Sequence, residues 1–97
     1  MRDTICEAIN DRQTLSFTYD RLPRTVEPHK VGRTTKGNVV LSGYQIGGRS
    51  RSNSVPYWRL YKLGKMGDLT VNKDQFDGPR PEYKRSDKRM TQIYCRL

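Results

Sequence analysis

The segment Tyr57-Trp58-Arg59-Leu60-Tyr61-Lys62 interleaves aromatic and basic side chains. That mixture suits a ligand that is both flat and anionic. Arginine offers a planar fork to phosphate oxygens and lysine a point charge. Tyrosine and tryptophan offer faces on which a base stacks, worth about 1–3 kcal/mol per base. Just upstream lies Gly47-Gly48-Arg49-Ser50-Arg51-Ser52-Asn53-Ser54. Its small residues let the backbone approach an anion, and Arg49 and Arg51 add charge. The Gly-Lys-Ser/Thr ending of a P-loop is missing. A third basic group, Lys84, Arg85, Lys88 and Arg89 with Tyr83 ahead of it, could track a row of phosphates. About five or six such contacts would make binding strongly salt-dependent. Each feature has a plainer reading. Alternation also lets Trp58 and Leu60 face a core while Arg59 and Lys62 face water. The loop also reads as a hairpin connection, and the tail cluster as a solvated one.

Enzymatic chemistry finds little support. His29 has no evident nucleophile partner, and no carboxylate pair stands in a motif for glycoside or metal chemistry. With no CxxC and no Cys or His near His29, a structural zinc has no ligand set. The expectation is a non-enzymatic protein without cofactor, catalytic residue or metal. Cys6 and Cys95 are the only cysteines and lie close to the two ends. A secreted domain of this size usually carries a denser disulfide framework. Two reduced thiols in a cytoplasmic protein are therefore the favoured reading, with pairing left open because it requires the ends to meet.

The charge supports an anionic partner. The chain of 97 residues carries a net charge of +9, and residues 49–97 hold +7 of it. Clustered basicity with a pI near 9.9 fits a nucleic-acid footprint, although a small domain also uses net charge for solubility. Leu, Ile, Val and Phe make up 19 of 97 residues, at the edge of the ~20% level below which charged chains are often disordered. Of these, 17 lie between Ile5 and Phe76. The division drawn is a folded body over residues 1–77 and a basic tail over 78–97 that docks on it. No apolar run approaches the ~18 residues of a membrane span, and Arg2, Asp3 and Glu7 interrupt any signal-peptide pattern.

The elements that must position these residues follow from periodicity. Ile5, Ala8 and Ile9 mark one face of a short helix with Asp3 as a candidate N-cap. Leu15, Phe17 and Tyr19 alternate with polar residues, as in a half-buried strand. Residues 20–23 read as a turn and 24–28 as a second extended segment, with Pro28 suggesting an edge or the strand's end. Val39–Ile46, Pro56–Leu63 and Leu69–Val71 read as three more strands. Residues 90–97 fit a helix and a strand equally well. The fold expected is mainly β: a small barrel of about five strands behind an N-terminal helix.

The order of four motifs resembles the WYL domain, a bacterial and phage module in which a helix precedes an Sm-like small β-barrel. A Phe17-x-Tyr19 strand follows the helix. Arg24-Thr25-Val26-Glu27-Pro28 is similar to the family's Arg-x-Val-Glu-Pro. Val39-Val40-Leu41-x-Gly43-Tyr44 sits where the naming Trp-Tyr-Leu triplet sits, and Trp58-Arg59-Leu60 resembles its Phe-Arg-Leu. The likeness spans about residues 4–76. Val39 and Val40 replace Trp-Tyr, and Tyr61 and Lys62 stand where the family has Asp-Arg. No helix-turn-helix precedes the domain, so the chain resembles a stand-alone copy.

The resemblance implies a positive ligand pocket built on Arg24, Arg59 and Lys62 with Tyr44 and Trp58, which would take a nucleotide or single-stranded nucleic acid. It also implies that Glu27 orients a strand end beside an unidentified arginine. The expected function is a non-enzymatic sensing module that binds nucleic acid or a nucleotide through Arg24, Tyr44, Arg49, Arg51, Trp58, Arg59 and Lys62. The tail patch of Lys84, Arg85, Lys88 and Arg89 forms a second, separable site. The rival is a protein-interaction or oligomerisation module, a phage or bacterial accessory protein acting on a partner or forming a homo-oligomer. A regulator of transcription working with a separate DNA-binding chain is the third expectation. No membrane partner is expected.

Overall fold

The computed structural model describes residues 1–50 and 55–97. Helix α1 (Arg2–Asp11) is followed by β1 (Gln13–Tyr19), β2 (Leu22–Thr34), β3 (Val39–Gly48) and β4 (Tyr57–Lys62). A 3-10 turn (Leu63–Lys65), β5 (Gly67–Gln75) and β6 (Met90–Arg96) complete the chain.

Local chemistry sets the turns. Arg12 caps α1 in the left-handed region, at φ 55°, and its N–H reaches the Ile9 carbonyl at 3.2 Å. Asp20 and Arg21 both take positive φ, 53° and 63°, between the paired Tyr19 and Leu22. A two-residue turn with both φ positive has the twist that adjacent antiparallel strands need. The chain therefore reverses at Asp20–Arg21, and β2 starts two residues earlier than the motif at Arg24 suggests. At Gly48, φ is +84° and a Cβ would lie 2.1 Å from the Pro23 carbonyl oxygen, so β3 can end against β2 only with glycine there.

The mainly β class with an N-terminal helix holds. Among the described residues the sheet has six strands rather than about five, all antiparallel, in the order β4-β3-β2-β1-β5, with β6 also pairing β2. Among the described residues it is open: β4 and β5 stand at the two ends of this order and do not pair with each other. Residues 90–96, undecided from periodicity, are a strand.

Pro28 neither ends a strand nor lies on an edge strand; it is in the middle of the thirteen-residue β2. The pairing explains why this is tolerated. One side of β2 runs along β3 from Arg24 to Arg33. Its other side is shared: β1 pairs with Leu22–Val26 and β6 with Lys30–Thr34. Pro28 falls in the gap between those two partners, where no strand demands an N–H. On the β3 side the register shifts between Pro28↔Gly43 and Lys30↔Ser42, which makes His29 the extra residue of a bulge.

The core forms where α1 lays Ile5, Ala8 and Ile9 on Leu15, Phe17, Val26, Val31, Leu41 and Tyr61. Fully burying a large aliphatic or aromatic side chain is worth about 1.5–3 kcal/mol. This layer is what makes a ten-residue helix stable. The expectation of reduced thiols is corrected here. β6 brings Cys95 beneath Cys6 of α1, with Cα atoms 5.7 Å apart, and the two are joined in a disulfide. Among the described residues no helix is long and apolar enough to cross a membrane.

Candidate functional site

Strand β4 divides the candidate residues between two faces. Its register against β3 is Tyr57↔Gln45, Trp58↔Tyr44, Arg59↔Gly43, Leu60↔Ser42, Tyr61↔Leu41 and Lys62↔Val40. Tyr61 is fully buried in the core, with ring centroids 5.0 Å from Phe17 and 5.1 Å from Tyr19. Side chains alternate across a strand, so Tyr57 and Arg59 share the core face with Tyr61. Trp58, Leu60 and Lys62 belong to the outer face. Arg59 and Lys62 therefore project from opposite sides of the sheet, and the expected group of Arg24, Arg59 and Lys62 with Tyr44 and Trp58 is not one pocket.

On the core face, Arg24 is only 1% exposed. Its Nη1 donates to Gln45 Oε1 at 3.2 Å and its Nη2 to the Tyr19 carbonyl at 3.1 Å, with Asp20 Oδ2 4.0 Å away. Its Nε finds no hydrogen-bond partner among the described residues. Arg59 reaches the same Asp20 carboxylate at 3.6 Å and donates to Tyr57 Oη at 3.2 Å. Its guanidinium lies 5.7 Å from the Tyr19 ring and 5.8 Å from the Tyr61 ring. Asp20 thus stands between two arginines. Burial holds the Tyr61 hydroxyl well above its ordinary pKa. Burial also raises Tyr57, but hydrogen bonds with Ser50 and Arg59 and the Arg59 charge outweigh it, and its hydroxyl ends below the ordinary value. Arg24 is thereby a structural cation that organises one end of the sheet, with almost no surface to offer a ligand.

The outer face is different. Glu27 lies opposite Tyr44 and Lys30 opposite Ser42, and residues 76–89 run across them. Arg80 clamps this crossing segment: its Nε and Nη2 donate to the two Glu27 carboxylate oxygens at 2.6 and 2.9 Å. The Arg80 backbone N–H donates to His29 Nε2 at 3.1 Å, so Nε2 carries no proton and Nδ1–H donates to the Glu27 carbonyl at 2.8 Å. The His29 ring is fully buried against Trp58, Tyr83 and Phe76, at 4.6, 5.2 and 5.6 Å. Trp58 donates its indole N–H to the Pro81 carbonyl at 2.9 Å, and its ring stacks on Tyr83 at 6.1 Å and 16°. Burial lowers the His29 pKa and raises that of Tyr83.

Beyond Tyr83, Lys30 is buried at 2% exposure. Its Nζ donates to the Lys84 carbonyl at 2.5 Å and lies 3.2 Å from Asp87 Oδ2. Asp87 is also gripped by Arg89, whose hydrogen bonds hold its carboxyl far below the ordinary carboxylate range. Between this segment and the sheet opens a cavity of ≈ 910 Å³. Its sheet wall is Lys30, Ser42, Trp58, Arg59 and Leu60; its other wall runs from Glu82 to Arg89. With the Arg59 guanidinium turned to the core face, Lys30, Lys84, Lys88 and Arg89 stand against Glu82 and Asp87 in this lining, which leaves the cavity positive.

The cavity therefore brings Trp58 of the body together with Lys84, Lys88 and Arg89 of the tail, two groups the sequence separates, while the Arg59 guanidinium stays on the core face beside Asp20. Arg85 turns instead to the chain end, donating to the Leu97 carbonyl at 2.8 Å. Tyr44 packs behind Trp58 and under Arg80. Lys62 is exposed, and its backbone N–H donates to Tyr19 Oη. Arg49 is exposed beyond the end of β3. Arg51 lies outside the described residues. Sequence reasoning missed Lys30 and Arg80, and it took His29 as a poor candidate for chemistry without seeing its packing role. The partner left open for Glu27 is Arg80, 53 residues away, a separation that no local spacing could signal.

No model of a known protein family, no curated protein and no solved structure matches the chain.

Proposed function

We propose that this chain is a non-enzymatic binding module for single-stranded nucleic acid, held in the positive cavity between the outer face of the sheet and residues 76–89. One observation carries the reading: the stacked pair Trp58 and Tyr83 borders a ≈ 910 Å³ cavity that Lys84, Lys88 and Arg89 also line. Aromatic faces beside a basic track are what sequence-tolerant single-strand binding uses. The exposed lysines supply the phosphate contacts, and the aromatic pair supplies the apolar surface that a splayed base covers. A relationship to the WYL domain, with the sheet opened relative to its Sm-like barrel, fits this reading. Its support is the order of motifs.

Trp58 is the single tryptophan, so its emission reports on the cavity directly. Titration with short DNA and RNA strands is expected to change that emission and to raise the anisotropy of a labelled strand. Exchanging Lys84 and Lys88 for alanine should weaken binding and flatten the salt dependence by about 0.7 per lost phosphate contact. Unchanged emission and anisotropy at low salt, or identical affinity in the double variant, would reject the proposal.

A second reading, association through sheet edges, is favoured by one feature. Among the described residues β4 and β5 each pair on one side only. Light scattering of the eluted protein distinguishes the two readings: a stable oligomer indifferent to nucleic acid favours this one.

A further inference from the structure

Four hydrogen-bond donors or cationic groups converge on the carboxylate of Asp87. Arg89 presents Nη2 to Oδ2 at 2.7 Å, Nε to Oδ1 at 2.9 Å and its backbone N–H to Oδ1 at 3.0 Å. Lys30 Nζ completes the set at 3.2 Å from Oδ2. A guanidinium fork, an ammonium and a backbone N–H are the donors with which proteins hold phosphate oxygens. Two cations here share one carboxylate, so the cluster keeps an excess positive charge. A dianionic phosphate would balance both. Lys84 and Lys88 stand on the same cavity wall and add to the field.

The present occupant is placed so that it can leave. The Asp87 side chain is 9% exposed, while its chain neighbours Ser86 and Lys88 are both exposed and the segment carries no helix or strand. Rotation about its Cα–Cβ bond moves the carboxylate out without disturbing β2 or β6. Lys30 stays where the sheet holds it.

We propose that Lys30 and Arg89 form a cradle for a phosphate monoester and that the Asp87 carboxylate fills it as an internal stand-in, so that ligand and Asp87 compete for one place. The inference rests on the reading that this cavity takes anionic ligands and adds to it a terminal phosphate as the preferred group. A tethered carboxylate competes at an effective concentration reaching the millimolar range. Wild-type affinity for phosphate alone is therefore weak by construction, and removing the charge of Asp87 strengthens it.

The test compares the full-length wild type with Asp87→Asn. Inorganic phosphate is one probe; short oligonucleotides with a 5′-phosphate or a 5′-hydroxyl are the second. Asp87→Asn should bind inorganic phosphate about tenfold tighter or better, the order of gain expected when charge-assisted bonds lose a competitor. It should also gain a preference for the 5′-phosphorylated strand. Adding Arg89→Gln should remove both gains. Equal phosphate affinity in wild type and a folded Asp87→Asn variant overturns the proposal. Should that variant fail to fold, the wild type decides: the Arg89 Nε–H resonance must shift on adding phosphate and not on adding chloride at equal ionic strength, and no shift overturns it. Strand binding that depends on Lys84 and Lys88 but is untouched by Asp87→Asn defeats the cradle alone. Phosphate binding in Asp87→Asn with no strand binding in any variant defeats the nucleic-acid reading and leaves the cradle standing.

Discussion

Arg80 and Glu27 meet in a two-point fork that joins the crossing segment to the middle of β2. Glu27 is buried, whereas the Arg80 side chain is 43% exposed. The pair is thus a clasp at the rim of the outer face. Removing Arg80 leaves a buried carboxylate without its fork, while removing Glu27 leaves an arginine that water can still solvate.

The two substitutions should therefore differ. Arg80→Ala is expected to destabilise by about 1–2 kcal/mol, a figure reduced from that of a fully buried pair because solvent screens Arg80. Glu27→Gln should cost less. Both should change Trp58 emission, because Pro81, which accepts the indole hydrogen bond, is released with Arg80. Equal costs in urea unfolding would show that the burial of Glu27 is not what matters.

His29 makes stability fall on the acid side. Burial is the main reason its pKa lies below 6.5, with the Arg80 and Lys30 charges acting in the same direction and the carbonyl and carboxylate of Glu27 opposing them. The native state therefore favours the neutral ring. Its contribution is complete above pH 6.5 and is lost as pH drops from there through the folded value. Protonated Nε2 would also face the Arg80 N–H it now accepts. Asp87 acts in a lower window: its depressed pKa contributes stability above the ordinary carboxylate value of 3.8, and that stability disappears on further acidification. Unfolding free energies measured from pH 8 to 5 should decline in the wild type and lose most of that slope in His29→Gln.

The Cys6–Cys95 bond closes a loop of 89 residues' separation. Chain-entropy arguments put the stabilisation from so long a loop at about 4–5 kcal/mol, and measured values for disulfides usually fall at about 2–4 kcal/mol. Replacing both cysteines by serine, or adding a reductant, should lower the unfolding free energy by an amount in that range. An unchanged denaturation midpoint on reduction would mean that the thiols do not pair.

Arg24 separates structural from ligand-facing basicity. Arg24→Met should be tolerated better than Arg24→Ala, since a linear apolar chain fills most of the volume that alanine leaves empty. Neither should alter strand affinity in protein that remains folded, because the guanidinium is enclosed by Tyr19, Gln45 and Asp20. A fall in affinity for a folded Arg24→Met protein would move the binding site to the core face.

Much of the architecture was legible because periodicity reports on burial. Leu15, Phe17 and Tyr19 alternate and do line the core, and Ile5, Ala8 and Ile9 do form the helix face. The ambiguous stretch at 90–97 was not legible, because what makes it a strand is the free half of β2 beside it. Pro28 misled for the same reason: its tolerance depends on a gap between two distant partners. The interleaving at 57–62 indicated the right strand but not which face each residue takes. That is set by Tyr61, whose ring has the phenolic hydroxyl of a surface residue yet is enclosed beside Phe17 and bonds to Gln45. Arg24 looked like a phosphate contact because its burial is invisible in a string of letters.

The disulfide has a consequence for the chain as an object. With Cys6 joined to Cys95, residues 6–95 form a covalent ring. A single nick at an exposed turn such as Lys36 would open the backbone without releasing a fragment, and the two pieces would part only on reduction and unfolding.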